Sequence, residues 1–121
     1  MRTFRFFDFP VYKDAKQFYN FSVQITKSFS HFYWELGDQW RRAALSIVLN
    51  IAEGSAKYSD KDFHRYIENS LGSVSECAAC ADIADGQGLV TQKQREEIMG
   101  MLDSVAKQLG GLSKKLRSTR H

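Results

Sequence analysis

Proline and turn-forming runs are scarce in this sequence, and their scarcity weighs against a fold made of strands. The 121 residues contain one proline, Pro10, and no long run of glycine, serine or asparagine. An all-β domain needs turn residues of these types every few positions. With 43% hydrophobic residues, the chain is long enough to bury the core of one domain without a disulfide. We therefore expect a single all-α domain that covers residues 1–121.

Long hydrophobic runs are absent as well. The segment richest in aromatic residues, 1–9, contains four phenylalanines, but Arg5 and Asp8 interrupt them. A transmembrane helix needs roughly 18 apolar residues in a row. We expect no membrane partner and a cytoplasmic location. The aromatic N-terminal arm is predicted to pack on the domain or on a neighbouring subunit.

Sequence signatures of catalysis are missing too. There is no Gly-rich phosphate loop, no Gly-x-Ser-x-Gly and no Glu-x-x-His pair of the kind that a di-metal carboxylate bundle uses. His64 has carboxylates four residues away on either side, which we interpret as a solvated charge cluster at a helix start rather than a weak metal site. Cys77 and Cys80 have redox-motif spacing, but they lie far from the helix N-terminus that would lower a thiol pKa. We predict no enzyme activity, no metal and no cofactor.

Apolar residues recur at alternating spacings of three and four through four segments, as expected for amphipathic helices. The helices are predicted at about 10–30, 37–53, 59–84 and 91–117. Ser59 and Thr91 can cap the third and fourth, and Gly54 is predicted to end the second in a left-handed conformation. Short connectors favour an antiparallel up-down-up-down four-helix bundle, followed by a basic C-terminal tail that frays.

A line of polar residues shares one face of the second helix and is expected to face the third. This set, the polar seam, comprises Gln39, Arg42, Ser46, Asn50, Glu53, Ser73 and Glu76. Buried polar groups need hydrogen-bond partners, so we predict that these side chains bind one another and fix the register of the two helices. The alternative is a small enzyme in which Glu53 and Glu76 act as an acid/base pair beside Arg42.

The second helix carries a second apolar line that includes Leu45 and Leu49. Its apolar surface is wider than the core of a four-helix bundle requires. We therefore predict that the protein is a homo-oligomer, in which copies of the chain cover the excess surface.

Basic residues concentrate at both ends of the chain. Residues 1–58 contain eight Lys/Arg and five Asp/Glu, residues 59–85 contain two and six, and residues 86–121 contain seven and three. Basic patches can bind the phosphates of a nucleic acid, and a ring of subunits would repeat each patch. The candidate nucleic-acid-binding residues are Arg2, Arg5, Lys13, Lys16, Lys27, Arg41, Lys107, Lys114, Lys115, Arg117 and Arg120.

The second and third helices also carry a family resemblance. Gln39, Arg42-Ala43-Ala44, Ser46-Ile47 and Asn50-Ile51-Ala52-Glu53-Gly54, followed by Gly72-Ser73-x-x-Glu76, resemble the four-helix-bundle proteins encoded in intervening sequences of 23S ribosomal RNA genes, a family often labelled a ribosomal protein. The resemblance spans about residues 6 to 112. It implies an antiparallel four-helix bundle, a homopentameric ring and no established enzyme activity. It also implies a fold similar to the accessory protein of diversity-generating retroelements, a basic pentamer that binds RNA and reverse transcriptase.

From these features we expect a non-enzymatic homo-oligomer that binds RNA or a ribonucleoprotein through basic surface patches. The partners expected are further copies of the chain, as a pentamer, and RNA. The alternative is a protein-interaction scaffold that binds no nucleic acid and whose basic tail only adds solubility.

Overall fold

The computed structural model describes residues 3–118 of the chain. Most of this range is helical, as the sequence predicts. The α-helices are α1, Pro10–Thr26; α2, Trp34–Ser55; α3, Asp60–Gly86; and α4, Gln92–Ser118. Two short 3-10 helices, Arg5–Asp8 and His31–Tyr33, precede α1 and α2.

The four helices run antiparallel in sequence order, which confirms the predicted fold. Each helix packs on the next one along the chain, and α4 also contacts α1. Buried side chains from all four helices form one hydrophobic cluster. The N-terminus of α1 and the C-terminus of α4 therefore lie at the same end of the bundle.

The first connector is longer than predicted, because α1 ends at Thr26 instead of near residue 30. The hydroxyls of Thr26 and Ser28 donate hydrogen bonds to the backbone carbonyls of Ser22 and Ile25, at 2.7 and 2.6 Å. Such bonds offer the chain an alternative to further helical turns. The α2 helix starts three residues earlier than predicted, directly after the 3-10 turn at His31–Tyr33.

Trp40 is the largest fully buried side chain of the bundle. Its indole nitrogen donates a hydrogen bond to the hydroxyl of Ser22 on α1 at 3.0 Å, and its ring meets Phe29 edge-on at a centroid distance of 6.1 Å. The buried hydroxyl of Ser70 on α3 donates to the backbone carbonyl of Ile47 on α2 at 2.9 Å. Each of these buried polar groups therefore has a hydrogen-bond partner on the neighbouring helix.

Gly54 has a different role from the predicted left-handed cap. Gly88 is the only glycine with a positive φ in the part of the chain that the structure describes, and α2 continues through Gly54 to Ser55. A Cβ atom at Gly54 would lie 2.7 Å from the Cβ of Tyr66 and 2.9 Å from the ring of Phe63. The missing side chain allows α2 and α3 to approach closely where the chain turns between them.

The aromatic arm packs on the bundle of its own chain. Phe6 contacts Tyr12 at a ring distance of 4.9 Å, and Phe9 stacks on Phe63 of α3 at 6.5 Å. Arg5 fixes the arm further, because its Nε donates to the backbone carbonyl of Ser55 at 3.0 Å. Phe4 remains exposed.

The basic C-terminal segment is helical rather than a frayed tail as far as Ser118, and residues 119–121 lie outside the described range. Within residues 3–118, no helix is long and apolar enough to cross a membrane.

Candidate nucleic-acid interface

The exposed side of α1 carries cations and amides without a carboxylate. Lys13 and Lys16 are exposed and lie opposite the buried stripe that includes Val11 and Phe18, and Lys27 is exposed directly after the last residue of α1. Asp14, the acidic residue of α1, points instead toward α4, where its carboxylate accepts a hydrogen bond from the Gln108 amide at 2.8 Å. The outer face of α1 therefore carries positive charge in its first half, and Lys27 adds a charge just past its end.

The second half of α4 is more strongly basic. From Ser104 to the end of the sequence there are five Lys/Arg and no Asp or Glu. Lys114, Lys115 and Arg117 are exposed in the last turns of the helix. Lys107 is exposed too, and its ammonium group pairs with Asp103 at 3.1 Å. Because α1 and α4 are antiparallel neighbours, Lys114, Lys115 and Arg117 lie at the same end of the bundle as Lys13.

Two candidate cations have other surroundings. Arg5 is held by Ser55, and its guanidinium carbon lies 5.4 Å from the ring centre of Phe63 and 5.8 Å from that of Phe9. This contact gives Arg5 a structural role in the arm. Arg41 is half-buried beside the first connector, where its Nη1 donates to the hydroxyl of Thr26 at 3.0 Å. Two further candidates, Arg2 and Arg120, lie outside the described residues.

The polar seam faces α3, and most of its members meet there. The Gln39 amide donates to the Glu76 carboxylate across the two helices. The Ser73 hydroxyl donates to that of Ser46 at 2.8 Å, and the Asn50 amide donates to the same hydroxyl at 3.0 Å. These side chains form a short polar bridge between α2 and α3.

Arg42 and Glu53 stand apart from this bridge. Arg42 pairs with Asp38, one turn earlier on its own helix, at 2.9 Å. Glu53 is exposed, and within residues 3–118 its carboxylate has no hydrogen bond or ion pair, although its backbone carbonyl accepts one from Ala56 at 3.2 Å. The sequence predicts that Glu53 accepts hydrogen bonds within the seam. This prediction is wrong, because Glu53 lies on the solvent-exposed side of α2. The arrangement also disfavours the acid/base pair, since Glu53 and Glu76 have separate surroundings.

Cys77 and Cys80 are free and buried in α3. Burial raises the pKa of the Cys77 thiol far above its ordinary value, and the nearby Cys80 and Glu76 raise it further. Burial raises the pKa of Cys80 too, with Glu76 as the second cause. A redox or metal-binding cysteine needs a stabilised thiolate, which these surroundings oppose. Residues 3–118 contain no group of three His, Cys, Asp or Glu side chains that could hold a metal ion.

His64 belongs to a contact between helices that the sequence did not reveal. Its Nε2 lies 3.0 Å from the hydroxyl of Ser113 on α4, and that hydroxyl donates to the Glu68 carboxylate at 3.0 Å. The single hydroxyl proton is directed to Glu68, so Ser113 is not placed as a nucleophile activated by His64. The three residues therefore link α3 to α4, whereas the sequence predicted a solvated charge cluster on α3 alone.

Fold and surface together define a four-helix bundle with a basic end. Comparison with family models matches residues 8–111 to the 23S rRNA-intervening sequence protein family, and the chain belongs to this family. This match confirms the resemblance found in the seam and in α3. The family is not known as an enzyme family. No curated protein matches the chain.

Proposed function

We propose that this protein is a non-enzymatic homo-oligomer that binds RNA through the basic end of its bundle. The observation that supports this proposal most strongly is the second half of α4, which presents exposed Lys114, Lys115 and Arg117 and itself contributes no Asp or Glu from Ser104 onward. Lys13 and Lys16 extend the positive surface onto α1. Phosphate contacts by lysine and arginine release counterions, and this release provides most of the affinity of binding without sequence preference.

The net charge of one chain is only +3, so a single basic end is a weak binding site. Several copies in one assembly would present several such ends to one RNA molecule. Binding at the first then raises the effective concentration of RNA at the others. RNA binding and self-association are therefore linked in the proposal.

The face proposed for self-association is the outer side of α2. Leu45 and Leu49 lie one turn apart there and are 39% and 47% exposed. On the neighbouring α3, a Cβ at Gly72 would meet no atom within 4 Å of its own chain. A glycine inside an exposed helix costs about 1 kcal/mol relative to alanine, and close approach of a second copy would account for it. Five copies would form the ring that the family resemblance implies.

Self-association is tested by light scattering. We expect a mass several times the 13.9 kDa of one chain. Replacing both leucines by glutamine, Leu45→Gln with Leu49→Gln, should lower this mass, because it removes apolar surface without touching the core. Tyr58→Gln is the matched control, since Tyr58 is fully exposed in the α2–α3 connector and lies off this face. A wild-type monomer at micromolar concentration would refute the oligomer.

The basic end is tested by two charge-matched double variants in filter binding with a structured RNA. Lys114→Gln with Lys115→Gln should weaken binding about 10-fold at low salt and lower the salt slope by about one per lost phosphate contact. The control, Arg42→Gln with Lys93→Gln, removes the same charge away from the basic end, because Arg42 lies in the first half of α2, paired with Asp38, and Lys93 lies at the start of α4. We expect it to change affinity less than about 2-fold. Equal losses in both variants would show that net charge, rather than this surface, determines binding.

A further inference from the structure

A concave site lies at the other end of the bundle, where the first connector folds over the start of α2. Its volume is about 450 Å³. The chemistry of its wall is unusual for this protein, because two permanent cations and a histidine meet aromatic rings there. The lining includes Lys27, His31 and Arg41 together with Phe29, Tyr33 and Trp34, and no Asp or Glu lines it.

Arg41 is the positioned cation of this pocket. Its Nη1 donates to the Thr26 hydroxyl at 3.0 Å, and that hydroxyl in turn donates to the carbonyl of Ser22 at 2.7 Å. Within the described residues no carboxylate pairs with Arg41, whereas its neighbour Arg42 pairs with Asp38. A guanidinium has five N–H donors in a planar fork. Arg41 therefore keeps donors available for an anion.

Gly37 provides the space for this guanidinium. A Cβ at Gly37 would lie 3.1 Å from Arg41 Nη1, closer than an ordinary contact. Gly37 lies one turn before Arg41 on α2, so the bare backbone there lets the side chain fold down toward Thr26. The pocket thus depends on a glycine as well as on the charged and aromatic residues.

Trp34 supplies an exposed aromatic face at the rim. It is 56% exposed, in contrast to the fully buried Trp40. Phe32, on the adjoining 3-10 turn, is 85% exposed. Large aromatic side chains left in water next to unpaired cations are typical of surfaces on which bases stack while phosphates bind beside them. A plain anion such as sulfate would use the cations but not the aromatic face.

We propose that this pocket binds one unpaired nucleotide of RNA, with the phosphate on Arg41 and Lys27 and the base stacked on Trp34. This inference rests on the proposed RNA binding and adds a second contact, at the end of the bundle opposite the α4 cations. The nucleotide must be unpaired, because a base inside a duplex already has both faces stacked on its neighbours. The site therefore selects single-stranded segments, whereas the α4 surface binds phosphates of either form.

The test uses the two tryptophans. Only Trp34 is accessible, so stacking of a base should quench its fluorescence, and Trp34→Phe should abolish the quenching. The probe is an oligoadenylate of about ten nucleotides, within the usual site size of single-strand binders, compared with a duplex of equal length. We expect saturable quenching by the single strand and little by the duplex. Equal quenching by both would overturn the inference.

Two variants test the phosphate contact and the base contact separately. Filter binding of the same oligoadenylate should weaken about 10-fold for Arg41→Gln and for Trp34→Leu, which keeps the apolar bulk but removes the stacking face. Arg42→Gln, the adjacent arginine already paired with Asp38, is the matched control and should change affinity less than about 2-fold. Adenosine monophosphate as competitor should displace the oligonucleotide, whereas inorganic phosphate alone should not.

A further variant, Gly37→Ala, distinguishes a loss of binding from a loss of folding. Gly37→Ala should displace the Arg41 guanidinium and weaken oligoadenylate binding while leaving the thermal midpoint unchanged or raised, because alanine favours a helix. Normal binding by folded Arg41→Gln and Trp34→Leu, with a loss in the Lys114/Lys115 double variant, would overturn the pocket and leave the proposed function standing. A wild-type protein that binds no RNA would overturn both.

Discussion

Replacing Trp40 by alanine is expected to lower the free energy of unfolding by about 3–5 kcal/mol, the usual cost of removing a large aromatic side chain from a core. Trp40 is fully buried and fills the space between α1 and α2. Its loss removes the contact with Phe29 and leaves a cavity that helices held on both sides cannot close. Urea denaturation followed by circular dichroism measures the effect.

Two control variants show whether the loss of stability in Trp40→Ala comes from the burial of this side chain. Trp34→Ala removes an equally large but exposed ring and should change stability by less than about 0.5 kcal/mol. Ser22→Ala leaves the buried indole N–H of Trp40 without its acceptor and should cost about 1–3 kcal/mol. If Trp34→Ala and Trp40→Ala destabilised the protein equally, the placement of α2 in the bundle would be wrong.

Gly54→Ala should also destabilise the protein, by about 1–3 kcal/mol. One methyl group at this position would lie 2.7 Å from the Cβ of Tyr66, an atom fixed to the α3 backbone, so the helices themselves must separate. The higher helix propensity of alanine offsets about 1 kcal/mol of the strain. The same urea titration gives the net effect.

Gly110→Ala is the matched control for Gly54→Ala. Gly110 lies inside α4, and a Cβ there would meet no atom within 4 Å of its own chain. This variant should therefore gain up to about 1 kcal/mol from helix propensity alone. A Gly54→Ala protein that gained stability like Gly110→Ala would show that α2 and α3 do not approach closely at this point.

The helices and their order were predictable from sequence because helical periodicity is local information. Stripes such as the one from Ile98 to Leu116 repeat every three or four residues and need no knowledge of partners. The end of α1 was not predictable in the same way. It depends on hydroxyls of Thr26 and Ser28 that compete for backbone carbonyls, and either residue is compatible with a longer helix.

Roles that depend on contacts between distant segments were harder to predict. Gly54 was interpreted as a cap because glycine often ends helices, whereas its function follows from Tyr66 and Phe63, which lie on another helix. Glu53 shares the helical spacing of the seam, but its direction differs enough to leave it in water. In the sequence, Arg41 is one of many basic residues. Its surroundings depend on how the first connector folds, because this brings Thr26 and Trp34 close to it.

The proposal that the protein binds RNA through phosphate contacts is tested most directly by filter binding of the wild-type protein to a structured RNA at increasing salt. If about four phosphates are contacted, affinity should fall on the order of 100-fold between 50 and 200 mM monovalent salt, with a linear dependence on a double logarithmic plot. No binding at 50 mM salt, or binding that does not change with salt, would contradict the proposal.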